Sequence, residues 1–208
     1  MRLFKCNDLY WIYINKKGKQ PTCIKRWYEW YPNMIHEENI WAGIFKLPFT
    51  ICRETKLQSF QFRVLHRIIP CRKWLTDIKI LASNKCEFCD LEDNLIHFLI
   101  RCNKVQQFWS CFINWWTRTT NISIAIENIE ECIIFGFQEK GTDIDMLNYC
   151  VLLGKFYIYT KRLYHECNLD IYEYLVTLKQ RLRMEKIICY NENKRDKFNK
   201  WIHIYEHL

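Results

Sequence analysis

One short stretch of the chain, residues 86–102, constrains the fold more than any other. It contains three cysteines and one histidine, Cys86, Cys89, His97 and Cys102, in the order C-x2-C-x7-H-x4-C. Thiolate and imidazole are the ligands that Zn²⁺ prefers, and four of them complete a tetrahedral site. A catalytic zinc ion would keep one position for water. The spacing therefore predicts one structural zinc ion.

The same residues can also be interpreted as ordinary buried side chains, because cysteine packs as a small hydrophobic residue. The ligand-like spacing and the polar residues between the ligands favour the metal site. Asp90 is a suitable helix N-cap, with Asp93 three residues later, so we expect a short helix to begin near Leu91. His97 would lie on this helix, and Cys102 would follow its end.

The composition indicates a mainly α-helical protein. The 208 residues include only 5 Gly and 4 Pro, which disfavours a strand-and-turn protein and long flexible linkers. Half of the residues are hydrophobic and 16% are aromatic, so the chain can bury a substantial core. We expect a helical domain built around a small CCHC zinc knuckle, followed by a C-terminal helical pair.

The spacing of apolar residues predicts where the longer helices lie. Residues 57–68 have one apolar face, so a helix should run to about Ile69 and stop before Pro70. Residues 105–116 have the clearest helical period, and their aromatic face should pack on the zinc module. Residues 146–167 are apolar on most sides, as expected for a central buried helix, and a third long helix should span about 170–190.

Three segments follow from this pattern. Residues 1–50 form an aromatic-rich helical segment, in which we expect the tryptophans to be core residues rather than base-stacking ones. Residues 51–118 contain the first long helix and the CCHC zinc-binding module. Residues 119–208 comprise a connection and a basic C-terminal helical region. A short extended piece is expected at 132–137 within the connection.

Charge and cysteine usage limit the partner and the compartment. The formal net charge is +8 and the sequence pI is about 8.8, which suits a polyanionic partner. Nine of the 12 cysteines are scattered singly outside the CCHC set, as in proteins of a reducing compartment. The first residues contain no continuous apolar signal region. We therefore expect an intracellular protein.

The order of these features also resembles a known family. The run from Leu57 to Pro70 is followed by Lys73-Trp74-Leu75, then by the CCHC set, and then by Val105-Gln-Gln-Phe-Trp109. This order resembles the zinc-binding C-terminal region of LINE-type (non-LTR) retrotransposon reverse transcriptases. About a third of the chain carries the resemblance directly.

The resemblance implies a piece of a larger polyprotein with an endonuclease and a polymerase upstream. It assigns the ligand roles to the CCHC residues and no catalytic role. The chain has no adjacent Asp-Asp pair, so the carboxylate motif of the polymerase is absent, and we expect no enzyme activity. The implied role is to hold element RNA or target DNA during target-primed reverse transcription, in a cytoplasmic ribonucleoprotein or in the nucleus.

Two further functions remain open beside nucleic-acid binding. A zinc module with aromatic helices can act as a protein-interaction scaffold, here docking on the polymerase or another partner. A Cys–His nucleophile is a third, weaker interpretation that no local motif supports. For nucleic-acid binding, we expect phosphate contacts from basic residues near the zinc site, with the basic C-terminal helix second. The candidate contacts are Arg63, Arg67, Arg72, Lys73, Lys85 and Lys104.

Overall fold

The computed structural model describes residues 21–32, 38–125, 127–139, 141–166, 168–193, 198 and 201–208. Within these ranges the chain is mainly α-helical and contains no β-strand, which confirms the predicted fold class. The helices are α1 (Thr22–Tyr28), α2 (Glu38–Ile51), α3 (Thr55–Leu65), α4 (Arg72–Asp77), a π-helical turn (His97–Arg101), α5 (Asn103–Thr120), α6 (Ile129–Phe135), α7 (Thr142–Leu163), α8 (Ile171–Asn191) and α9 (Ile202–Glu206).

The chain divides into two compact units, residues 1–41 and residues 42–208. In the first unit, Trp27 and Trp41 are buried, as expected for core aromatics. The ring of Trp27 packs edge-on against Trp30 at a centroid distance of 6.0 Å. The indole nitrogen of Trp41 donates a hydrogen bond to the hydroxyl of Tyr28 at 2.9 Å.

Helix α3 ends earlier than the sequence predicted. The helix stops at Leu65 because Arg67 adopts the left-handed conformation, with φ of 59°. The N–H of Arg67 then bonds to the carbonyl of Val64, and the N–H of Ile68 bonds to the carbonyl of Arg63. These two bonds form a Schellman motif without glycine. The prediction that the helix continues to about Ile69 is therefore wrong.

Helix α7 is the buried helix of the second unit. Every residue from 146 to 159 is buried, which confirms the predicted central helix. Gly154 allows α5 to approach closely, since a Cβ atom at this position would lie 3.0 Å from the ring of Trp109. The hydroxyl of Tyr174 on α8 donates a hydrogen bond to the carbonyl of Cys150 at 2.9 Å. Helix α7 is thus enclosed by its neighbours.

The aromatic face of α5 packs as predicted on the segment that carries the metal ligands. The indole nitrogen of Trp109 donates a hydrogen bond to the carbonyl of Leu99 in the π-helical turn, at 2.9 Å. On the same face, the ring of Phe108 lies 5.6 Å from that of Tyr157 on α7 and 5.4 Å from that of Tyr174 on α8. The buried residues of this face are Val105, Phe108, Trp109, Phe112 and Trp116.

The predicted extended piece at 132–137 is wrong, because residues 129–135 form helix α6. A short apolar run is compatible with a buried strand or a buried helix, and periodicity cannot distinguish them. The end of α6 is held by Lys155, whose buried amino group donates to the carbonyl of Ile134 at 3.1 Å and to Oε1 of Gln61 at 2.7 Å. The structure thereby connects α3, α6 and α7 through one buried lysine.

Candidate metal centre

The first two cysteines lie in a tight turn between Lys85 and Glu92, which form an isolated antiparallel bridge. The N–H of Cys86 bonds to the carbonyl of Leu91 at 2.7 Å, and the N–H of Asp90 bonds to the carbonyl of Cys86 at 3.0 Å. Asp90 adopts a left-handed conformation with φ of 62°. It therefore closes the turn instead of capping a helix, and the predicted helix start near Leu91 is wrong.

The other two ligands are presented by the π-helical turn. Its start is capped by Asn94, whose side-chain oxygen accepts a hydrogen bond from the N–H of His97 at 3.0 Å. The N–H of Cys102 bonds to the carbonyl of His97 at 3.0 Å, five residues back. This wider turn brings His97 and Cys102 to the same side of the backbone, so the x4 spacing suits a shared ligand site.

The four predicted ligand side chains converge. Their ligand atoms all lie within 4.8 Å of one another, so Cys86, Cys89, His97 and Cys102 can hold one metal ion. The Sγ atom of Cys102 lies 3.9 Å from that of Cys86 and 4.0 Å from that of Cys89. The Nε2 atom of His97 lies 3.2 Å from Sγ of Cys89. The sulfur–sulfur distances are too long for a disulfide, and these cysteines are free thiols.

Burial affects the protonation of two of the ligands. Burial raises the pKa of the Cys102 thiol to about 11, with the neighbouring Cys86 adding to the increase. Burial also lowers the pKa of His97, which favours the neutral imidazole that binds metal. A thiol with a raised pKa is a poor nucleophile, which speaks against catalysis by Cys102. Ligation by the same thiol requires that the metal ion displace its proton.

An arginine from a distant helix completes the surroundings of the cluster. Arg162, near the end of α7, lies with Nη2 3.5 Å from Sγ of Cys86 and 2.6 Å from Oδ1 of Asp93. Its guanidinium also lies 4.2 Å from the ring centre of Phe98 and 5.0 Å from that of Phe88. These contacts place a cation beside the sulfur of one candidate ligand. No local motif includes Arg162, which follows the cluster by 60 or more residues, so its role was not predicted from the sequence.

Asp93 connects this arginine to the backbone before the cluster. Its Oδ2 accepts a hydrogen bond from the N–H of Arg72 at 3.1 Å, and its carbonyl accepts one from the N–H of Lys73 at 3.0 Å. Its own N–H bonds to the carbonyl of Asn84 at 2.8 Å. The sequence analysis considered Asp93 as part of a helix cap. In the structure it is a buried anion that joins α4, the metal turn and α7.

The six predicted phosphate contacts lie in different environments. Arg63 is half-buried and packs on Tyr159, and Arg67 is half-buried at the end of α3. Arg72 pairs with Glu87 and Lys73 pairs with Asp77. In contrast, Lys85 and Lys104 are exposed, and neither forms an ion pair within the described ranges. Lys85 directly precedes Cys86, and Lys104 follows Cys102 by two residues.

A cleft of about 280 Å³ opens beside the cluster. Its walls include Phe88 and Phe98, and the Arg162–Asp93 pair also lines it. At its edge, the carboxylate of Glu87 bonds to Nδ1 of His165 at 2.8 Å, and this hydrogen bond holds the pKa of Glu87 below its usual range. The remaining lining residues are Pro70, Arg72, Leu75, Leu81 and Leu163.

Comparison of the chain with protein-family models, with curated proteins and with solved structures finds no match. Among the described residues, no helix has the length and apolar character needed to cross a membrane. The assignment of a function therefore depends on the geometry of the Cys86–Cys102 region and on its surroundings.

Proposed function

We propose that the CCHC cluster binds one structural Zn²⁺ ion. For a tetrahedral ion with zinc–sulfur bonds of about 2.3 Å, the ligand sulfurs are about 3.8 Å apart. The Cys86–Cys102 and Cys89–Cys102 sulfur distances of 3.9 and 4.0 Å agree with this edge length. The Cys89–His97 distance of 3.2 Å is shorter, in the direction expected from the shorter zinc–nitrogen bond, for which tetrahedral geometry gives about 3.6 Å. Four protein ligands leave no position for a reacting water.

We further propose that the zinc module binds nucleic acid. The observation that carries this proposal is the position of Lys85 and Lys104, two exposed cations beside the first and last ligands. The net charge of +8 also attracts a negatively charged nucleic acid, and it does so over longer distances. The cleft of about 280 Å³ includes the half-buried Phe88 in its lining, and an accessible aromatic ring can stack on an unpaired base independently of sequence.

The biological role then follows from the family resemblance. We infer a non-catalytic C-terminal module of a non-LTR retrotransposon reverse transcriptase, which holds element RNA or target DNA during target-primed reverse transcription. Its setting would be a cytoplasmic ribonucleoprotein or the nucleus. The zinc ion would stabilise the turn between α4 and α5, and the turn would present the two lysines to the phosphates.

The test is salt-dependent binding of fluorescent single-stranded RNA and DNA to the zinc-loaded chain. Each phosphate contact contributes about −0.7 to the slope of log affinity against log salt for single strands. The double variant Lys85→Ala/Lys104→Ala should therefore reduce the slope by about 1.4 and weaken binding. Lys46→Ala is the matched control, because Lys46 is also exposed but lies on α2. An unchanged slope in the double variant would remove this proposal.

A protein-interaction scaffold is the second candidate. We call residues 80–102 the metal region. Its exposed apolar residues include Ile80 and Leu91, as expected for a surface that docks another domain such as the polymerase. An apolar interface is much less sensitive to salt than a phosphate-binding one. Binding that persists at high salt and is lost in Ile80→Asp would favour the scaffold over nucleic-acid binding.

A further inference from the structure

Helix α8 exposes a long mixed face that does not belong to the metal centre. We define the outer stripe as Tyr172, Val176, Lys179, Arg183 and Ile187, which recur every three or four residues and so share one side of the helix. Tyr172 is 75% exposed, Val176 57% and Ile187 47%. The opposite side of α8 is buried in the core. Single exposed apolar side chains are common on protein surfaces, so their alignment with the two cations between them is what indicates an interaction surface.

The centre of the outer stripe is positively charged. Lys179 and Arg183 are exposed and form no ion pair within the described ranges. The other charged side chains of α8 already have a partner. Three form ion pairs, which are Arg181 with Glu54, Glu173 with Lys161 and Glu185 with Arg53. The fourth, Lys186, packs over the ring of Tyr205.

We propose that the outer stripe docks an amphipathic helix of a partner protein that carries acidic residues. Apolar side chains of the partner would pack on Val176 and Ile187, near the two ends of the stripe. Carboxylates between them would meet Lys179 and Arg183. This is helix-against-helix recognition by residues one turn apart, with charge complementarity selecting the partner.

A second copy of this chain fits the outer stripe poorly. In an antiparallel pair of α8 helices, Val176 of each copy would face Ile187 of the other, but Lys179 would face Arg183. In a parallel pair, each cation would face its own equivalent. Both arrangements place like charges opposite each other, which is unfavourable at an interface.

Single-stranded nucleic acid also fits the stripe less well than a helix does. Bases stack on aromatic side chains, and the centre of the outer stripe has none, because Tyr172 lies at one end and the exposed Tyr190 lies beyond Ile187 at the other. Its other apolar members are aliphatic and suit the side chains of a helix. The proposal concerns a surface separate from the zinc module, so it holds or fails independently of nucleic-acid binding at that module.

The test uses a displayed library of random helical peptides of about 20 residues, sorted for binding to the zinc-loaded full chain. Enriched peptides should combine an apolar stripe with Asp or Glu beside it. The charge-swapped chain Lys179→Glu/Arg183→Glu should instead enrich peptides with Lys or Arg and bind the acidic peptides at least about tenfold more weakly. All substituted positions are exposed, so the variants should fold.

Two controls separate this surface from others. Val176→Asp/Ile187→Asp should abolish the enrichment, whereas Ile80→Asp, an exposed residue of the metal region, should leave it unchanged. The proposal is overturned if the charge-swapped chain retains the acidic preference, or if no peptide is enriched over the starting library. It is also overturned if Val176→Asp/Ile187→Asp dissociates a dimer in sedimentation, or if single-stranded RNA displaces the selected peptides.

Discussion

Arg162 and Asp93 form a buried ion pair that joins the end of α7 to the turn that carries the candidate metal ligands, 69 residues earlier in the chain. Their side chains are 4% and 1% exposed, and the Nη2–Oδ1 distance is 2.6 Å. The same nitrogen lies 3.5 Å from the thiol of Cys86. The pair therefore connects α7, the longest of the described helices, to the segment that holds the candidate metal ligands.

Loss of Arg162 should destabilise the chain strongly. Arg162→Met leaves the Asp93 carboxylate buried without its counter-charge, and removal of one member of a buried pair costs about 3–5 kcal/mol. The measurement is urea unfolding of the zinc-loaded chain. Arg183→Met replaces an exposed arginine and should change the free energy of unfolding by less than about 0.5 kcal/mol. The double variant Arg162→Met/Asp93→Asn should recover part of the lost free energy of unfolding, because the unpaired buried charge is removed. Equal free energies of unfolding for all these variants would show that the Arg162–Asp93 pair does not stabilise the chain.

Substitution of Gly154 should also destabilise the protein. In Gly154→Ala, the new methyl group would lie 3.0 and 3.2 Å from two ring carbons of Trp109, so α5 and α7 must separate slightly. Such overpacking costs about 1–3 kcal/mol, against a gain of up to about 1 kcal/mol from the higher helix propensity of alanine. Gly43→Ala is the control, since its nearest contact would be an ordinary one at 3.7 Å and alanine favours a helix. Thermal unfolding should show a lower midpoint for Gly154→Ala and an equal or higher one for Gly43→Ala.

The stability of the chain should depend on pH through Lys155. Burial lowers the pKa of Lys155 from 10.5 to about 7. Between these values the unfolded chain carries a proton on Lys155 that the folded chain lacks. Unfolding then takes up a proton, so the free energy of unfolding rises with pH, by up to about 1.4 kcal/mol per pH unit. Below about pH 7 both states are protonated and this contribution becomes constant.

The measurement compares urea unfolding of wild type, Lys155→Met and the exposed-site control Lys46→Met across this pH range. The increase in stability with pH should be smaller in Lys155→Met than in wild type. It should be unchanged in Lys46→Met. Identical pH profiles for wild type and Lys155→Met would show that Lys155 titrates normally in the folded state.

The features of the sequence that are local and periodic predicted the structure well. The spacing of the candidate ligands predicted a shared site, and the four side chains do converge. The helical period of residues 105–116 predicted the face of α5 that is buried. The apolar sides of residues 146–159 identified the central helix. These predictions succeed because each depends on neighbouring residues and on the geometry of a single turn or helix.

Other features required tertiary information. Asp90 and Asn94 are both good N-cap residues, and only the left-handed conformation of Asp90 excludes it as the cap. The end of α3 at Leu65 carries no glycine signal, because an arginine occupies the left-handed position. The Arg162–Asp93 pair joins residues far apart in sequence, so no local pattern identifies it.

The metal content of the purified 208-residue chain tests the central claim most directly. Elemental analysis should find one zinc ion per chain, and Cys102→Ser should lose both the zinc and part of the helical circular-dichroism signal, because structural zinc contributes folding free energy. Cys111→Ser is the matched control, since Cys111 is an exposed thiol on α5 outside the cluster, and it should retain both. A well-folded chain without bound zinc, or a Cys102→Ser variant with undiminished zinc content, would contradict the account.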